Sequence, residues 1–503
     1  MSRKKTREPA FGNCLSNVAT QAKGKRNTVA WIENTKNTEA HLPDSLILEI
    51  FRYLNKRELG VVAQVSKRWR RVAYDKSFWH TLDLTAFSQN MDEATMLMMI
   101  QTRLASTLNC LNLGPVKLTA KIAKDLARKC PDLKRIVFRS VAISGDPAFS
   151  GESKQFPATL ELMDLRHCRG NFQFMKRLPR HFTEMRYIGL GAEFSSSLVP
   201  SIFGKMHDLR VLDCTDCEAI DDLALEKISR NCRQLESICL SECKNFAGTT
   251  LEKVLKNCTS LSTLLMRFTK LADRAILAVK WETTVIKELD ITGCYYVTTT
   301  GLTTLLSKLP QLAYFKMNQC GFRHILNLLV YQEIRPQINF SMLETLDLRW
   351  NFLLSAECLE SILRLTPKLQ YLGVSHSPRV GPTMMAKMLP HVTKLKILEF
   401  GPLKKEALSD TNFVKGIVKY CKDIEAVSFI NFTVATPQDT ALIRELKLKC
   451  KLLQDVKLCN PRVEHVEVGA GGETITVERL LIKMESLLPS PKHTLNVITK
   501  TLC

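Results

Sequence analysis

A nine-residue pattern recurs along the chain at intervals of mostly 24–27 residues. It reads apolar-x-x-apolar-x-apolar-x-x-Cys, and its copies are LELMDLRHC (160–168), LRVLDCTDC (209–217), LESICLSEC (235–243), IKELDITGC (286–294) and LAYFKMNQC (312–320). Amphipathic stretches such as LALEKISRNC (223–232) lie between the copies. One such unit cannot bury its apolar face alone, so units of this length stack. The pattern predicts an α/β solenoid with one short strand and one helix per repeat.

The array extends over residues 79–460. Its first strand is predicted in WHTLDL (79–84), and the first apolar anchor of the last repeat is Leu453, which gives about fifteen strand–helix repeats. Parallel strands spaced ~4.8 Å apart would line the inside of a horseshoe over roughly 70 Å. A surface of that length suits a protein or an extended peptide better than a metabolite.

The segment 461–503 departs from the repeat. RVEHVEV-GAGG-ETITVERL (462–480) alternates apolar and polar residues around a glycine-rich turn and predicts a hairpin, whereas 478–488 has a helical pattern. Because a solenoid needs its terminal apolar face covered, we interpret 461–503 as a cap or tail.

The cysteines follow the repeat. Of seventeen, five occupy the ninth place of the pattern and five more lie just before the next strand. These are positions for a small apolar group, so we predict packing cysteines. Cys214 and Cys217 form the only C-x-x-C, and no second pair stands at metal-site spacing, so we expect no metal; a zinc or redox role for this pair is the alternative.

Residues 1–40 are polar and basic without periodicity, which predicts a disordered arm. Its two basic clusters resemble a bipartite nuclear import signal, and no apolar stretch is long enough to span a bilayer. We therefore expect a protein of the nucleus and/or cytoplasm without membrane association. The formal net charge of +21 favours acidic or phosphorylated partners or nucleic acid, although a solvated basic surface explains it equally.

The block 41–79 has apolar residues spaced three and four apart, which predicts three short helices. Pro43 suits a first helical turn, and Ser66 suits the cap of a helix that begins at Lys67. A block this short with this much apolar content leaves part of it exposed for a partner.

The residues of this block resemble an F-box: Leu42-Pro43, Ile50-Phe51-x-x-Leu54, Val65-x-Lys67-Arg68-Trp69 and Trp79. The repeats with their terminal cysteines resemble the cysteine-containing leucine-rich-repeat class. Together they resemble F-box/leucine-rich-repeat proteins, the substrate receptors of SCF-type cullin–RING ubiquitin ligases.

This resemblance implies a three-helix F-box that binds a Skp-type adaptor and, through it, the cullin and RING subunits. The residues it assigns to adaptor binding are Leu42, Pro43, Ile50, Phe51, Leu54, Val65, Trp69 and Trp79. The alternative is that Phe51, Leu54 and Trp69 are internal packing of a helical cap on the solenoid.

Strand alternation places two rows of side chains on the concave face, one and three positions after the second anchor. The third-position row contains arginines and predicts binding of a protein substrate, phosphorylated or not: Arg139, Arg166, Arg267 and Arg349. The first-position row is acidic: Asp164, Asp213, Asp290, Asp347 and Glu399. Arg139 and Arg166 could hold one phosphate. We favour the alternative, in which Asp164 pairs with Arg166 and Asp347 with Arg349.

No catalytic motif is found in the sequence: there are no paired C-x-x-C motifs of a RING, no H-E-x-x-H and no glycine-rich phosphate loop. We predict a receptor subunit without catalytic residues or cofactor. The rival hypothesis is a basic leucine-rich-repeat scaffold or RNA-binding protein, against which the acidic row argues, because it would repel phosphate.

Overall fold

A computed structural model describes residues 42–85, 92–104, 107–114, 117–138, 141–143, 156–166, 168–170, 184–204, 206–319, 338, 340–401, 406–407, 411–430, 432–433, 437–459, 465–467 and 474–476. These residues divide between Gly189 and Leu190 into two compact units, which the sequence did not predict. The predicted arm 1–40, Arg139, Cys320 and the predicted helix 478–488 lie outside the described residues.

The first unit begins with three short helices, α1 Asp44–Phe51, α2 Lys56–Val62 and α3 Lys67–Ala73, followed by a 3-10 turn at Lys76–Phe78. The Asn55 side chain accepts from the N–H of Glu58, whose carboxylate accepts from Asn55 N–H, and this reciprocal cap begins α2. Ser66 Oγ accepts from Trp69 N–H at 3.1 Å and begins α3, as predicted. Both α1 and α2 pack against α3.

The same unit continues with short strands that pair in parallel in the order β1-β2-β3-β5-β7. The strands are β1 Thr81–Asp83, β2 Cys110–Asn112, β3 Arg135–Val137, β4 Ala142–Ile143, β5 Leu162–Asp164, β6 Arg169–Gly170 and β7 Tyr187–Gly189, with β4 paired to β6. Helix α4 Glu93–Met99, a π-helical turn at Ile100–Leu104 and helix α5 Ala120–Lys129 lie between strands.

In the described residues of the second unit, ten strands pair in parallel in the order β8-β9-β10-β11-β12-β13-β14-β15-β17-β19. These strands are β8 Val211–Asp213, β9 Ser237–Cys239, β10 Thr263–Leu265, β11 Glu288–Asp290, β12 Tyr314–Lys316, β13 Thr345–Asp347, β14 Tyr371–Gly373, β15 Ile397–Phe400, β17 Ala426–Ile430 and β19 Asp455–Cys459. Short strands β16 Glu406–Ala407 and β18 Phe432–Thr433 pair with each other.

Helices of the second unit connect its strands. They are α6 Val199–Phe203, α7 Asp222–Asn231, α8 Leu251–Asn257, α9 Asp273–Ala278, α10 Thr299–Lys308, α11 Ala356–Arg364, α12 Pro382–Met388, α13 Thr411–Tyr420 and α14 Pro437–Lys449, with 3-10 turns at Ser196–Leu198, Trp281–Thr283 and Leu389–His391. The predicted α/β solenoid of strand–helix repeats is confirmed. The predicted hairpin is also confirmed, as β20 His465–Glu467 pairs antiparallel with β21 Thr474–Thr476.

The cysteine thiols at the ninth place of the pattern form hydrogen bonds between neighbouring repeats. Cys243 Sγ donates to Cys214 O at 2.9 Å, and Cys294 Sγ donates to Met266 O at 2.9 Å. Each thiol thereby adds a hydrogen bond to a buried carbonyl of the preceding repeat, since Cys214 O also accepts from Cys217 N–H and Met266 O also accepts from Thr269 Oγ1. Burial raises the pKa of Cys217 to about 12, so this thiol stays protonated at neutral pH. The packing role predicted for these cysteines agrees with their burial.

Aspartates at the starts of helices also join neighbouring repeats. The Asp222 carboxylate accepts from Ala247 N–H at 2.8 Å and from Thr250 N–H at 3.2 Å, both in the following repeat. Asp273 accepts from Thr298 N–H at 2.7 Å in the same way. Asp221 accepts from Ala224 N–H at 2.7 Å and caps α7. In the part of the chain that the structure describes, no helix is both long and apolar enough to cross a membrane.

Candidate partner-binding surfaces

Helix α1 is apolar on two sides, and only one of them is covered. Ile47 and Phe51 are each 2% exposed and face the interior. Leu46 and Ile50 on α1 and Tyr53, two residues beyond its end, are 50%, 53% and 85% exposed. They recur at intervals of four and three residues, so they form one outward stripe. A helix with this second stripe has apolar surface that its own unit does not bury.

Other residues of this block add to the exposed apolar surface. Leu42 precedes α1 and is 37% exposed, while Val61 and Val65 at the end of α2 are 50% and 60% exposed. We call Leu42, Leu46, Ile50, Tyr53, Val61 and Val65 the exposed N-terminal set. Leu46, Tyr53 and Val61 were not among the predicted residues, although the spacing of Leu46 and Tyr53 relative to Ile50 could have identified them.

The predicted adaptor-binding residues separate by exposure. Leu42, Pro43, Ile50 and Val65 are exposed, and Leu54 and Trp69 are half-buried. Phe51 and Trp79 are each 2% exposed, so their prediction as contact residues is corrected: they form the core of the block. Phe51 packs edge-on against Trp69 at 5.4 Å between ring centroids, and Trp79 Nε1 donates to Ala73 O at 3.2 Å.

An ionic cluster fixes the start of α1. Arg68 Nε donates to Asp44 Oδ1 at 2.7 Å, and Arg71 donates to the other carboxylate oxygen. The Arg68 and Arg71 guanidinium groups hold the pKa of Asp44 below its ordinary value. Arg68 also donates to the carbonyl of Leu42. The exposed Leu42-Pro43 segment is thereby held on α3.

Arg166 of the predicted substrate row forms an ion pair with Asp164 at the end of β5. Arg166 Nε and a terminal nitrogen donate to the two oxygens of Asp164 at 2.9 and 2.8 Å. Asp164 is fully buried and Arg166 is 8% exposed. The Arg166 guanidinium and the Asp164 carboxylate therefore bind each other inside the protein, and the predicted role of Arg166 in gripping a phosphate is corrected.

Arg349 is bound in the same way and more extensively. It donates to Asp347 at 2.9 and 2.8 Å and to Glu399 Oε2 at 2.7 Å. Its predicted role as a substrate ligand is also corrected, and the intrastrand pairing that we favoured is observed in both places. Arg267 differs, because its Nε lies 3.8 Å from Asp290 Oδ2, beyond hydrogen-bond distance, and its side chain is 48% exposed.

The acidic row has a structural role. Its five members are between 0% and 4% exposed: Asp164, Asp213, Asp290, Asp347 and Glu399. Asp213 and Asp290 accept from the N–H groups of Thr215 and Thr292 at 3.1 and 3.0 Å, which fixes the turn after the strand. The row therefore does not present an acidic surface, and the argument that it repels nucleic acid is corrected.

Aromatic side chains that the sequence analysis missed stand after β13 and β14. The rings of Trp350 and His376 stack with centroids 3.7 Å apart and an interplanar angle of 14°, and Phe352 meets Trp350 edge-on at 6.4 Å. Trp350 and Phe352 are 39% and 47% exposed. We call Trp350, Phe352 and His376 the aromatic platform. Its sequence signal was two aromatic residues at the same offset from consecutive strands.

No group of three histidine, cysteine or acidic side chains among the described residues is arranged to hold a metal ion. The pair Cys214 and Cys217 is buried, and burial raises the pKa of both thiols. These thiols therefore behave as packing groups.

Comparison with known proteins identifies similarity over limited parts of the chain. Residues 40–85 match the family model described as F-box-like. The chain is 32% identical to human F-box/LRR-repeat protein 12 over 139 residues, which are 26% of this chain and 40% of that protein, and 31% identical to the Bos taurus protein over the same shares. The chain thus spans about two fifths of the length of these relatives.

Two further similarities are more limited. The F-box/WD repeat-containing protein 8 of Rattus norvegicus is 52% identical over 44 residues, which are 9% of this chain and 7% of that protein. A solved structure, the Rad7 and Elc1 complex of yeast, has a TM-score of 0.47 with 13% identity and covers 75% of this chain and 93% of that one.

Proposed function

We propose that this chain, which is an F-box/leucine-rich-repeat protein, is the substrate-recognition subunit of an SCF-type ubiquitin ligase. Its F-box would bind a Skp-type adaptor and through it the cullin and RING subunits. Its repeats would hold a protein substrate for ubiquitination and degradation. The nucleus and/or cytoplasm is the proposed location of this activity.

The observation that carries the proposal is the outward stripe of α1. Leu46, Ile50 and Tyr53 expose apolar side chains while Ile47 and Phe51 close the core from the other side of the same helix. An inert cap needs only the inner stripe. Outward apolar side chains of this size on a three-helix block are the anchors expected in a protein–protein interface, where a few such residues supply most of the binding energy.

The division of labour follows from the fold. In the described repeats, buried carboxylates at the ends of the parallel strands form ion pairs and fix turns, as Asp347 does with Arg349 and Asp290 does with Thr292 N–H. A receptor accelerates a reaction by holding its two reactants together, so the rigidity of the repeats is what contributes to catalysis by the ligase. Transfer of ubiquitin would be performed by other subunits.

The adaptor prediction is tested by pull-down with a purified Skp-type adaptor. Ile50→Asp and Tyr53→Ala together should weaken capture by at least about thirtyfold, which corresponds to about 2 kcal/mol, with the thermal unfolding temperature unchanged. Leu223→Asp is the matched control, because Leu223 is 62% exposed on α7 in the second unit. Undiminished capture by the Ile50/Tyr53 variant would refute adaptor docking through α1.

Neighbouring residues separate binding from folding. Phe51→Ala removes a buried ring from the core and should destabilise the block by about 3–5 kcal/mol. Ile50→Ala on the adjacent outward position should leave stability within about 0.5 kcal/mol while weakening adaptor capture. If both variants lower the unfolding temperature equally, Ile50 is a core residue and the proposal loses its support.

A basic leucine-rich-repeat scaffold that binds RNA is the second candidate. The net charge of +21 and the burial of the acidic row favour it. Its mark would be an affinity for RNA that falls steeply with salt, together with no capture of the adaptor.

A further inference from the structure

Seven turns of the second unit share one backbone geometry. Three residues after each strand from β8 to β14, the backbone has a φ between 51° and 66°, the left-handed region that favours glycine, at Asp216, Glu242, Phe268, Gly293, Gln319, Trp350 and His376. Each N–H at these positions donates to a carbonyl of the following repeat, as Phe268 does to Thr292 O at 2.7 Å and Trp350 to Ser375 O at 3.0 Å. The side chains therefore form a row along one edge of the parallel strands.

Bulky residues in this row are costly to the fold. A tryptophan at φ 62° and a histidine at φ 60° occupy a conformation that non-glycine residues adopt rarely. Such backbone strain is found most often at functional sites. Glycine stands at the same place after β11, so the turn itself does not need a side chain. We therefore attribute a binding role to the aromatic rings of Trp350 and His376.

Further aromatic side chains follow the same edge. Tyr295 and Tyr296 come after Gly293 and are 52% and 61% exposed. The Phe268 ring covers Gly293 so closely that a β-carbon there would come within 2.2 Å of Phe268 Cδ1. From the Phe268 turn to the Trp350 turn there are three strand spacings, about 14 Å, which is the length of about four residues of extended chain.

The charged groups beside this row are arranged by sign. Arg267 and Lys270 follow β10 and Arg379 follows β14, and all three are exposed, whereas the acidic members of the row, Asp216 and Glu242, follow β8 and β9. The carboxylates of Asp290, Asp347 and Glu399 are buried, at 4%, 0% and 4% exposed. Burial and the neighbouring Arg349 lower the pKa of His376, so the platform itself is uncharged at neutral pH. The surface thus combines an uncharged aromatic centre with cationic borders.

We infer that the aromatic platform of Trp350, Phe352 and His376 binds a short acidic segment of a protein partner, in which an aromatic or proline residue packs on the platform. Acidic residues on either side of this anchor would meet Arg267, Lys270 and Arg379. The inference deepens the proposed function, on which it rests, because it assigns the substrate class of the repeats: proteins that display such a segment in extended form.

A peptide fits this platform better than a nucleic acid does. Bases bind to aromatic faces by stacking. Here one face of Trp350 and one face of His376 are already occupied by each other, with ring centroids 3.7 Å apart. Phe352 meets Trp350 edge-on, and the corner between these two rings suits an apolar side chain.

The test uses the full-length chain and a phage-displayed library of random twelve-residue peptides. The enriched sequences should contain Trp, Phe, Tyr or Pro flanked by Asp or Glu. A fluorescein-labelled peptide of the enriched sequence is then measured by fluorescence polarisation. Trp350→Gly combined with Phe352→Ala should weaken its binding at least tenfold, because glycine keeps the turn geometry and only the rings are lost.

Two matched variants make the result specific. Arg267→Glu should weaken the same peptide at low salt and less so at high salt, since Arg267 is a border charge. Tyr53→Ala removes an exposed ring outside the platform and should leave peptide binding unchanged while it weakens adaptor capture. Peptide binding and adaptor capture are thereby measured independently of each other.

Two outcomes would overturn the inference. The first is that peptides bind equally well to the Trp350/Phe352 variant, or that none is enriched. The second is that a fluorescein-labelled twelve-nucleotide poly-U RNA depends on Trp350 and the peptides do not. Adaptor capture by the wild-type chain under either outcome would leave the proposed function standing.

Discussion

Gly373 lies directly against the Asp347 carboxylate: a β-carbon built on Gly373 would come within 2.9 Å of both Asp347 Oδ1 and the Tyr371 hydroxyl. The first unit contains the same arrangement, in which a β-carbon on Gly189 would come within 2.5 Å of Asp164 Oδ1. In both places an Asp–Arg pair on one strand is packed against a Tyr-x-Gly on the next. The glycine makes room for the ion pair.

Replacing either glycine should therefore disturb a buried ion pair. Gly373→Ala and Gly189→Ala should each lower the free energy of unfolding by about 1–3 kcal/mol, the usual cost of overpacking. Gly381→Ala is the control, because a β-carbon on Gly381 meets nothing within 4 Å. Thermal unfolding followed by circular dichroism measures the difference, and equal unfolding temperatures for Gly373→Ala and Gly381→Ala would contradict the packing role.

Replacing the buried carboxylate by an uncharged amide should cost much more stability at Asp347 than at Asp290. Burial opposes ionisation of Asp347, but the Arg349 guanidinium outweighs it and holds the pKa of Asp347 below its ordinary value. Asp290 lies 3.8 Å from its nearest arginine nitrogen, and burial raises its pKa. Asp347→Asn should destabilise the unit by about 3 kcal/mol, since Arg349 keeps only Glu399.

Asp290→Asn keeps an acceptor for Thr292 N–H and removes a costly buried charge, so stability should change by less than about 1 kcal/mol. The pH dependence follows in sign. The contribution of Asp347 is present at neutral pH and is lost as pH falls through its lowered pKa. The cost of ionising Asp290 is relieved as pH falls through its raised pKa. Urea titrations of both variants between pH 3 and pH 7 would show the contrast, and identical pH profiles would refute it.

The Asp44 cluster predicts acid sensitivity at the start of α1. Arg68 and Arg71 lower the pKa of Asp44 below its ordinary value of 3.8, so the stabilising effect is present above that value and is lost as pH falls through the folded pKa. Carboxyl chemical shifts of Asp44 should titrate at lower pH in the wild-type chain than in an Arg68→Gln variant. Arg57→Gln, a change on α2 outside the cluster, should leave the Asp44 titration where it is.

The buried thiols predict protection from alkylation. Burial raises the pKa of Cys168, Cys217 and Cys232 to about 12. Iodoacetamide at pH 7.5 should leave these residues unmodified in the native chain and label them in urea, because a reactive thiolate is absent and the sulfur is covered. Mass spectrometry of tryptic peptides measures both states. Rapid labelling of Cys217 in the native chain would instead indicate a reactive C-x-x-C.

The strand positions were predictable because the spacing of the apolar residues in the repeat is compatible with few other secondary structures. Leu235, Ile238 and Leu240 must all reach one interior, and the spacing that allows this is the strand pattern itself. The pairing of Arg166 with Asp164 was predictable for the same reason, since residues two apart on a strand share a face.

Other parts of the site were not predictable from spacing. Ile50 and Phe51 are adjacent apolar residues on a helix that is apolar on two sides, and only the position of α3 decides which one is buried. Trp350 was missed because positive φ is associated with glycine and asparagine, and nothing local marks a tryptophan that a neighbouring strand's carbonyl holds in that conformation. Both misses come from tertiary contacts that override local preference.

Trp79 connects the three N-terminal helices directly to the first repeat. Its indole is held by Ala73 O, Lys56 binds the carbonyl of the adjacent Phe78, and β1 starts at Thr81 with only His80 between. A connection of one residue is too short to act as a flexible linker. The first strands of this unit and the helices α1 to α3 therefore turn together as one body.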